Sequence, residues 1–245
     1  MTWYDVTLYQ FEKLQDLLKI ENEEERMFAI AELLLGEEVT NLPISEFVNA
    51  TKRLSFLSEE IETKTPPKNL ELNGRKYTVD CLLGRISTAQ YIDFQNHLKG
   101  NDIAVTLSVF IIPKGHKYND GYDMLQVIDD IKSIPIPIVN SLSFFFQQTI
   151  QRIHENFPIL FNKGNEDNEY TEGSEGEPNQ SSGEFSAFGI IPFVLKFCEV
   201  TNHNFEEALN YDVSTLFYIV SYEVVKIKEQ EKQIKQMQRR NGSNK

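Results

Sequence analysis

The chain has little of what usually announces a secreted, membrane-bound or nucleic-acid-binding protein. Two cysteines occur among 245 residues, Cys81 and Cys198, far apart and each among apolar neighbours. That usage excludes a disulfide-stapled scaffold, and two buried free thiols in a reducing compartment are expected. No run approaches the ~18 consecutive apolar residues of a membrane-spanning helix. The opening Met1-Thr2-Trp3-Tyr4-Asp5 has no basic region leading into an apolar stretch, so no secretory signal is expected. Bases are scarce, with 24 Lys and Arg against 37 Asp and Glu, a net charge of -13 and a pI of about 4.8. Such a balance repels phosphate backbones and anionic headgroups, so neither nucleic acid nor membrane is an expected partner.

The signatures of chemistry are missing as well. His97, His116, His154 and His203 include no pair with each other or with a cysteine at metal-ligand spacing, and each reads as a surface or capping residue. The glycine-rich stretch from Gly164 to Gly183 lacks both a preceding strand and a Gly-Lys-Ser/Thr ending, so it is not a phosphate loop. Its acids miss the alternate-position register of a calcium loop, and no Gly-x-Ser-x-Gly elbow occurs. The pairs Glu59-Glu60 and Asp129-Asp130 are neighbours on helices, where adjacent side chains point apart, and they read as solvated faces. No catalytic, cofactor-binding or metal residue is assigned, no cofactor is expected, and the chain reads as a non-enzymatic binding protein.

What is present is helical periodicity. Val6, Leu8, Phe11, Leu14, Leu17 and Leu18 mark a helix within 3–20, and Phe28 to Leu35 mark a second that Gly36 stops. A third opens at Leu42-Pro43-Ile44, with Ser45 as a candidate cap. Residues 69–80 change to alternation around Asn73-Gly74, the strongest short signal for a β-hairpin. Ser87 or Thr88 caps the next helix. The run 103–112 is β-branched like a strand yet as long as a buried helix, and both readings stand. Helices capped by Asp123 and broken at Ile134-Pro135-Ile136-Pro137 follow, then a long one from about Val139 to Asn156. Residues 163–184 hold seven acids and one base, too little apolar surface to offset ordering entropy. The expected architecture is mainly α: a mostly helical domain over 1–162 with a small hairpin near 69–80, an acidic flexible linker over 163–185, and C-terminal helices over 186–245 ending in a basic helix.

That last helix stands apart electrically. From Glu223 to Lys245 seven bases face three acids, +4 in all, which leaves -17 on the rest of a chain of net -13. Val220, Ile227 and Ile234 recur every seven residues, as in a coiled-coil seam, although Glu223 and Gln230 occupy the companion positions. Phe144, Phe145 and Phe146 span about 200° of helix surface, so one of them is expected to face away from the core. The candidate partner-contact residues are therefore Phe144, Phe145, Phe146, Phe217, Val220, Ile227 and Ile234.

Two stretches carry a resemblance. One runs from Ile86-Ser87-Thr88-Ala89-Gln90-Tyr91-Ile92-Asp93-Phe94-Gln95 through Phe110-Ile111-Ile112-Pro113-Lys114-Gly115 to Tyr118-Asn119-Asp120-Gly121-Tyr122-Asp123. The other joins Glu206-Glu207-Ala208-Leu209 through Val213-Ser214-Thr215-Leu216-Phe217 to a charged final helix. Together they resemble small proteins encoded among the virion genes of tailed bacteriophages, including crAss-like phages, and are similar to tail assembly chaperones. The resemblance implies a non-enzymatic protein that binds other phage structural proteins in the host cell cytoplasm. A structural or packaged virion component, such as a connector, ring or cargo protein, is the alternative. Homo-oligomerisation stays open.

Overall fold

A computed structural model describes residues 1–79, 86–100, 102–161 and 189–242. The acidic 163–185 segment and Cys81 lie outside them, while Cys198 is a half-buried free thiol. The protein is mainly α, as the periodicity predicts, with one small antiparallel sheet. The compact units do not follow the expected boundary at 162. One comprises Met1–Cys81 with Phe94–Gln147, the other Leu82–Asp93 with Gln148–Lys245. Sequence composition marks where a chain is polar, whereas a unit is defined by which apolar faces pack together.

In the first unit, Thr2 caps a 3₁₀ turn at Trp3–Asp5 and Thr7 caps α1 (Leu8–Leu17) through a reciprocal bond with Gln10. The predicted helix over 3–20 is thus two elements, because a second capping residue restarts the chain. Asn22 caps α2 (Glu23–Leu35), whose first turn carries three glutamates, and Gly36 ends it at φ 99°. α3 (Ile44–Thr51) has Pro43, not Ser45, at its cap position; the ring fixes φ and Ser45 lies inside the helix. Phe47 of α3 stacks on Phe28 of α2 at 4.5 Å and joins Ala31 and Val39 in a small core.

The hairpin has the predicted turn. β1 (Asn69–Leu72) and β2 (Arg75–Val79) pair antiparallel around Asn73 and Gly74, both at positive φ (49° and 76°), a combination that suits the strand twist. The 103–112 run resolves into both of its readings. Asp102 caps α5 (Ile103–Ser108), and the chain then extends into β3 (Ile111–Pro113), which pairs with β2 as a third strand. A capping carboxylate at one end and the pairing of Ile111 and Ile112 with Val79 and Thr78 at the other divide the run. α6 (Met124–Ile131) starts at the predicted Asp123 cap and packs on α5 and β3. α7 (Ile136–Asn156) begins three residues before the expected Val139, since Ile136 and Pro137 sit in its first turn, where an absent proline N–H costs nothing.

The second unit takes in the first half of α4 (Thr88–His97), the end of α7, α8 (Pro158–Phe161), α9 (Ile191–Thr201), α10 (Phe205–Asn210) and α11 (Val213–Gly242). Ser87 and Gln90 form a capping box at the start of α4, and Asn204 with Glu207 forms another at α10. Phe217 is fully buried and meets four aromatic rings, Phe161 at 5.0 Å, Tyr91 at 5.4 Å, Phe157 at 5.7 Å and Phe193 at 6.2 Å. The Phe161 and Tyr91 contacts are edge-on, which sets ring hydrogens against π-faces.

Phe217→Ala should lower the unfolding free energy by about 3–5 kcal/mol, the range for a large aromatic removed from a closed core. Phe144→Ala, at a side chain 57% exposed, should change it by less than about 0.5 kcal/mol. Equilibrium denaturation of the two variants against the parent checks both.

Candidate functional site

The densest polar constellation lies in the first unit. Asp130 on α6 is buried. Its Oδ1 accepts from Asn73 Nδ2 at 2.8 Å, Arg75 Nη1 at 3.0 Å and Gln126 Nε2 at 3.2 Å; its Oδ2 accepts from Arg75 Nη1 at 2.8 Å and from the Tyr77 hydroxyl. Burial pushes the carboxyl up, but the bonds from Tyr77, Asn73 and Arg75 and the charge of Arg75 outweigh it, so Asp130 titrates below the usual carboxylate range. Tyr77 is pushed far up by its burial and its bond to the carboxylate. An ionised carboxylate is acceptor-only, and four side chains already occupy its two oxygens. The arrangement leaves no lone pair for a reactant. It pins the hairpin to α6.

A second pair joins buried Tyr91, through Oη, to half-buried His154, through Nε2, 2.6 Å apart, with the His154 ring stacked on Phe161 at 4.3 Å. Burial holds His154 below its ordinary value and Tyr91 well above. The imidazole is half-buried, its ring against Phe161 and Tyr91, so it is neither a free surface residue nor a helix cap. The last turn of α4 and helix α5 also border a cleft of about 470 Å³. Its walls include Phe94, Leu98 and Ile103, and its one carboxylate, Asp102, caps α5 through a bond from Val105 N at 3.0 Å. Among the described residues no group of His, Cys, Asp and Glu is arranged to hold a metal, and no helix is long and apolar enough to cross a membrane.

The seven candidate contact residues separate by burial. Phe146, Phe217 and Val220 belong to the core, and no partner can touch them while the protein is folded. Apolar periodicity marks the face a helix buries, and these three lie on it. Phe145 is half-buried, and Phe144 projects outward, as expected for one member of the triplet. Ile227 and Ile234 are 39% and 54% exposed. They lie on a stretch of α11 where every residue from Val225 to Arg240 is exposed.

Two further apolar surfaces escaped the sequence reading. Tyr218, Tyr222 and Val225 follow one another at i, i+4 and i+7 along α11, the tyrosines 69% and 63% exposed. Ile44 and Val48, one turn apart on α3, are exposed beside the Phe28–Phe47 stack. Each set continues the apolar period of its helix, so periodicity alone does not separate it from the buried face. The only available signal was excess: each helix holds more apolar residues than one face can bury. No known family, curated protein or solved structure matches the chain.

Half-buried His154 and buried Asp130 give an acid response of predictable sign. His154 titrates below 6.5 when folded, so below about pH 6.5 the unfolded chain binds the proton first and stability declines. Asp130 contributes fully above the unfolded-chain value of about 3.9 and loses that contribution as pH falls through its lower folded value. Denaturation midpoints measured from pH 8 to 3 should show both steps, the first missing in His154→Gln and the second in Asp130→Asn. At pH 7, Asp130→Ala should cost about 2–4 kcal/mol, since it strands the Tyr77 hydroxyl in the core.

Proposed function

We propose that this protein is a non-enzymatic assembly factor of a tailed bacteriophage, a tail assembly chaperone that holds virion subunits before they enter the particle. The observation that carries the reading is the tyrosine stripe of α11, Tyr218, Tyr222 and Val225, apolar surface displayed at helical spacing on a helix anchored by Phe217 and Val220. Tyrosine supplies contact area at low entropic cost and is enriched where partners bind. The charge distribution supports the same reading: with -17 outside the last 23 residues, self-repulsion keeps a complex with an aggregation-prone subunit dispersed. The resemblance of the 86–123 and 206–217 stretches to phage assembly proteins supplies the class of partner. A packaged connector, ring or cargo protein is the alternative that the same surface would serve.

Particle content separates the two. A tagged full-length chain, expressed during infection, should co-purify with a tail or tail-length subunit and be missing from purified virions by mass spectrometry. Tyr218→Ala combined with Tyr222→Ala should reduce that capture at least about tenfold while the melting temperature stays within about 2 °C. Stoichiometric amounts in virions would overturn the chaperone reading in favour of the packaged component, and failure to associate with any virion subunit would overturn both.

A further inference from the structure

The exposed part of α11 carries a second pattern, on a different face from the tyrosines. With Val220, Ile227 and Ile234 at heptad position a, position d holds Glu223, Gln230 and Met237. Val220 is buried within its own unit, whereas Ile227, Ile234 and Met237 are exposed. The flanking positions then hold Lys226, Gln233 and Arg240 at g, and Val224, Glu231 and Gln238 at e. Lys228, Lys232, Lys235 and Arg239 all fall at b or f, on the outside. A helix with four outward bases has therefore kept its seam almost clear of like charge.

We infer that residues 224–240 of α11 form a parallel, in-register, two-stranded coiled coil with the same residues of a second copy of this chain. Three features choose that occupant and that direction. First, in a parallel pair position g of one strand meets position e of the next heptad on the other. Lys226 then faces Glu231 of the second copy, twice by symmetry, and Gln233 faces Gln238. In the single chain Lys226 Nζ sits 3.2 Å from Glu223 Oε1, one turn away, so its ammonium already lies along the seam edge. Second, Gln230 at d meets its own copy only when the strands are parallel and in register. A side-chain amide is both donor and acceptor, so two of them satisfy each other. Any staggered or antiparallel pairing sets the amide against an apolar partner and leaves it unpaired. Third, the c and f positions point away from the seam, and they hold Tyr222, Tyr218 and Val225. Pairing therefore covers Ile227, Ile234 and Met237 and leaves the tyrosine stripe of each copy open. The inference does not rest on the phage reading, because it uses only the helix and its charges.

Sedimentation velocity on the full-length protein tests it directly. The parent should pass from monomer to dimer as concentration rises through the micromolar range. Lys226→Glu should weaken the dimer roughly tenfold, since two attractions become two repulsions, and Glu231→Lys should do the same. The double variant should recover the parental constant. Ile227→Asp with Ile234→Asp should abolish the dimer, with circular dichroism reporting an unchanged fold of the rest. Met237→Cys should form a disulfide-linked dimer under mild oxidation, the parent with its own cysteines serving as control. A protein that stays monomeric to several hundred micromolar would overturn the proposal. So would a double variant that fails to recover, or a dimer that Met237→Cys cannot link.

Discussion

Asp130 is a charge taken out of water, and several neighbouring elements owe their placement to it. Desolvating a carboxylate costs several kcal/mol even after relaxation, so the fold is tenable only if its donors arrive together. They come from Asn73 in the turn, Arg75 and Tyr77 on β2, and Gln126 one turn back on α6. A hairpin shifted by one residue would turn Tyr77 to the other face and remove the hydroxyl. The carboxylate therefore fixes the strand register as well as the contact. β3 follows from this, because it pairs with β2 through Tyr77–Pro113 and Val79–Ile111. α6 in turn packs on α5 and β3.

The second unit is organised by the opposite means. Its centre is a cluster of rings around Phe217, held by dispersion and ring geometry with one polar contact, Tyr91 to His154. Partial burial favours the neutral imidazole over the charged one, which lowers the His154 titration. Ionised Asp130 stabilises one unit, while protonation of His154 weakens the other. Stability is thus drawn from a charge in one unit and from its exclusion in the other.

Features encoded within four residues of themselves were legible in the sequence. Asn73-Gly74, Gly36, Ser87 and Asp123 act where the local pattern put them, because turns and caps are settled by adjacent backbone. The Asp130 site was not legible. Asp129-Asp130 was read as solvated because neighbours on a helix diverge. That same divergence sends Asp129 outward beside Lys132 and Asp130 inward to partners more than fifty residues away. The 103–112 run was ambiguous because it is both a helix and a strand. Of the seven contact candidates, periodicity marked apolar helix positions but did not divide core from periphery. Phe146 and Phe217 differ from Phe144 only in what the rest of the chain packs against them.

The terminal helix follows from the same accounting of surface. Sixteen consecutive exposed residues, Val225 to Arg240, form a helix whose isolated counterpart would be marginal in water, since helices this short draw their stability from packing. Anchoring at Phe217 and Val220 supplies the nucleus but no partner for Ile227, Ile234 and Met237. Every base added to such a helix raises its self-repulsion in a pair unless it sits away from the seam. Here Lys228, Lys232, Lys235 and Arg239 all do, and the one opposite-sign pair of flanking positions, Lys226 and Glu231, is spaced to meet across it. A helix serving only as a solvated tail needs no such division of charge. One that pairs with itself does, and the pairing leaves the tyrosines on its outer face for a different partner.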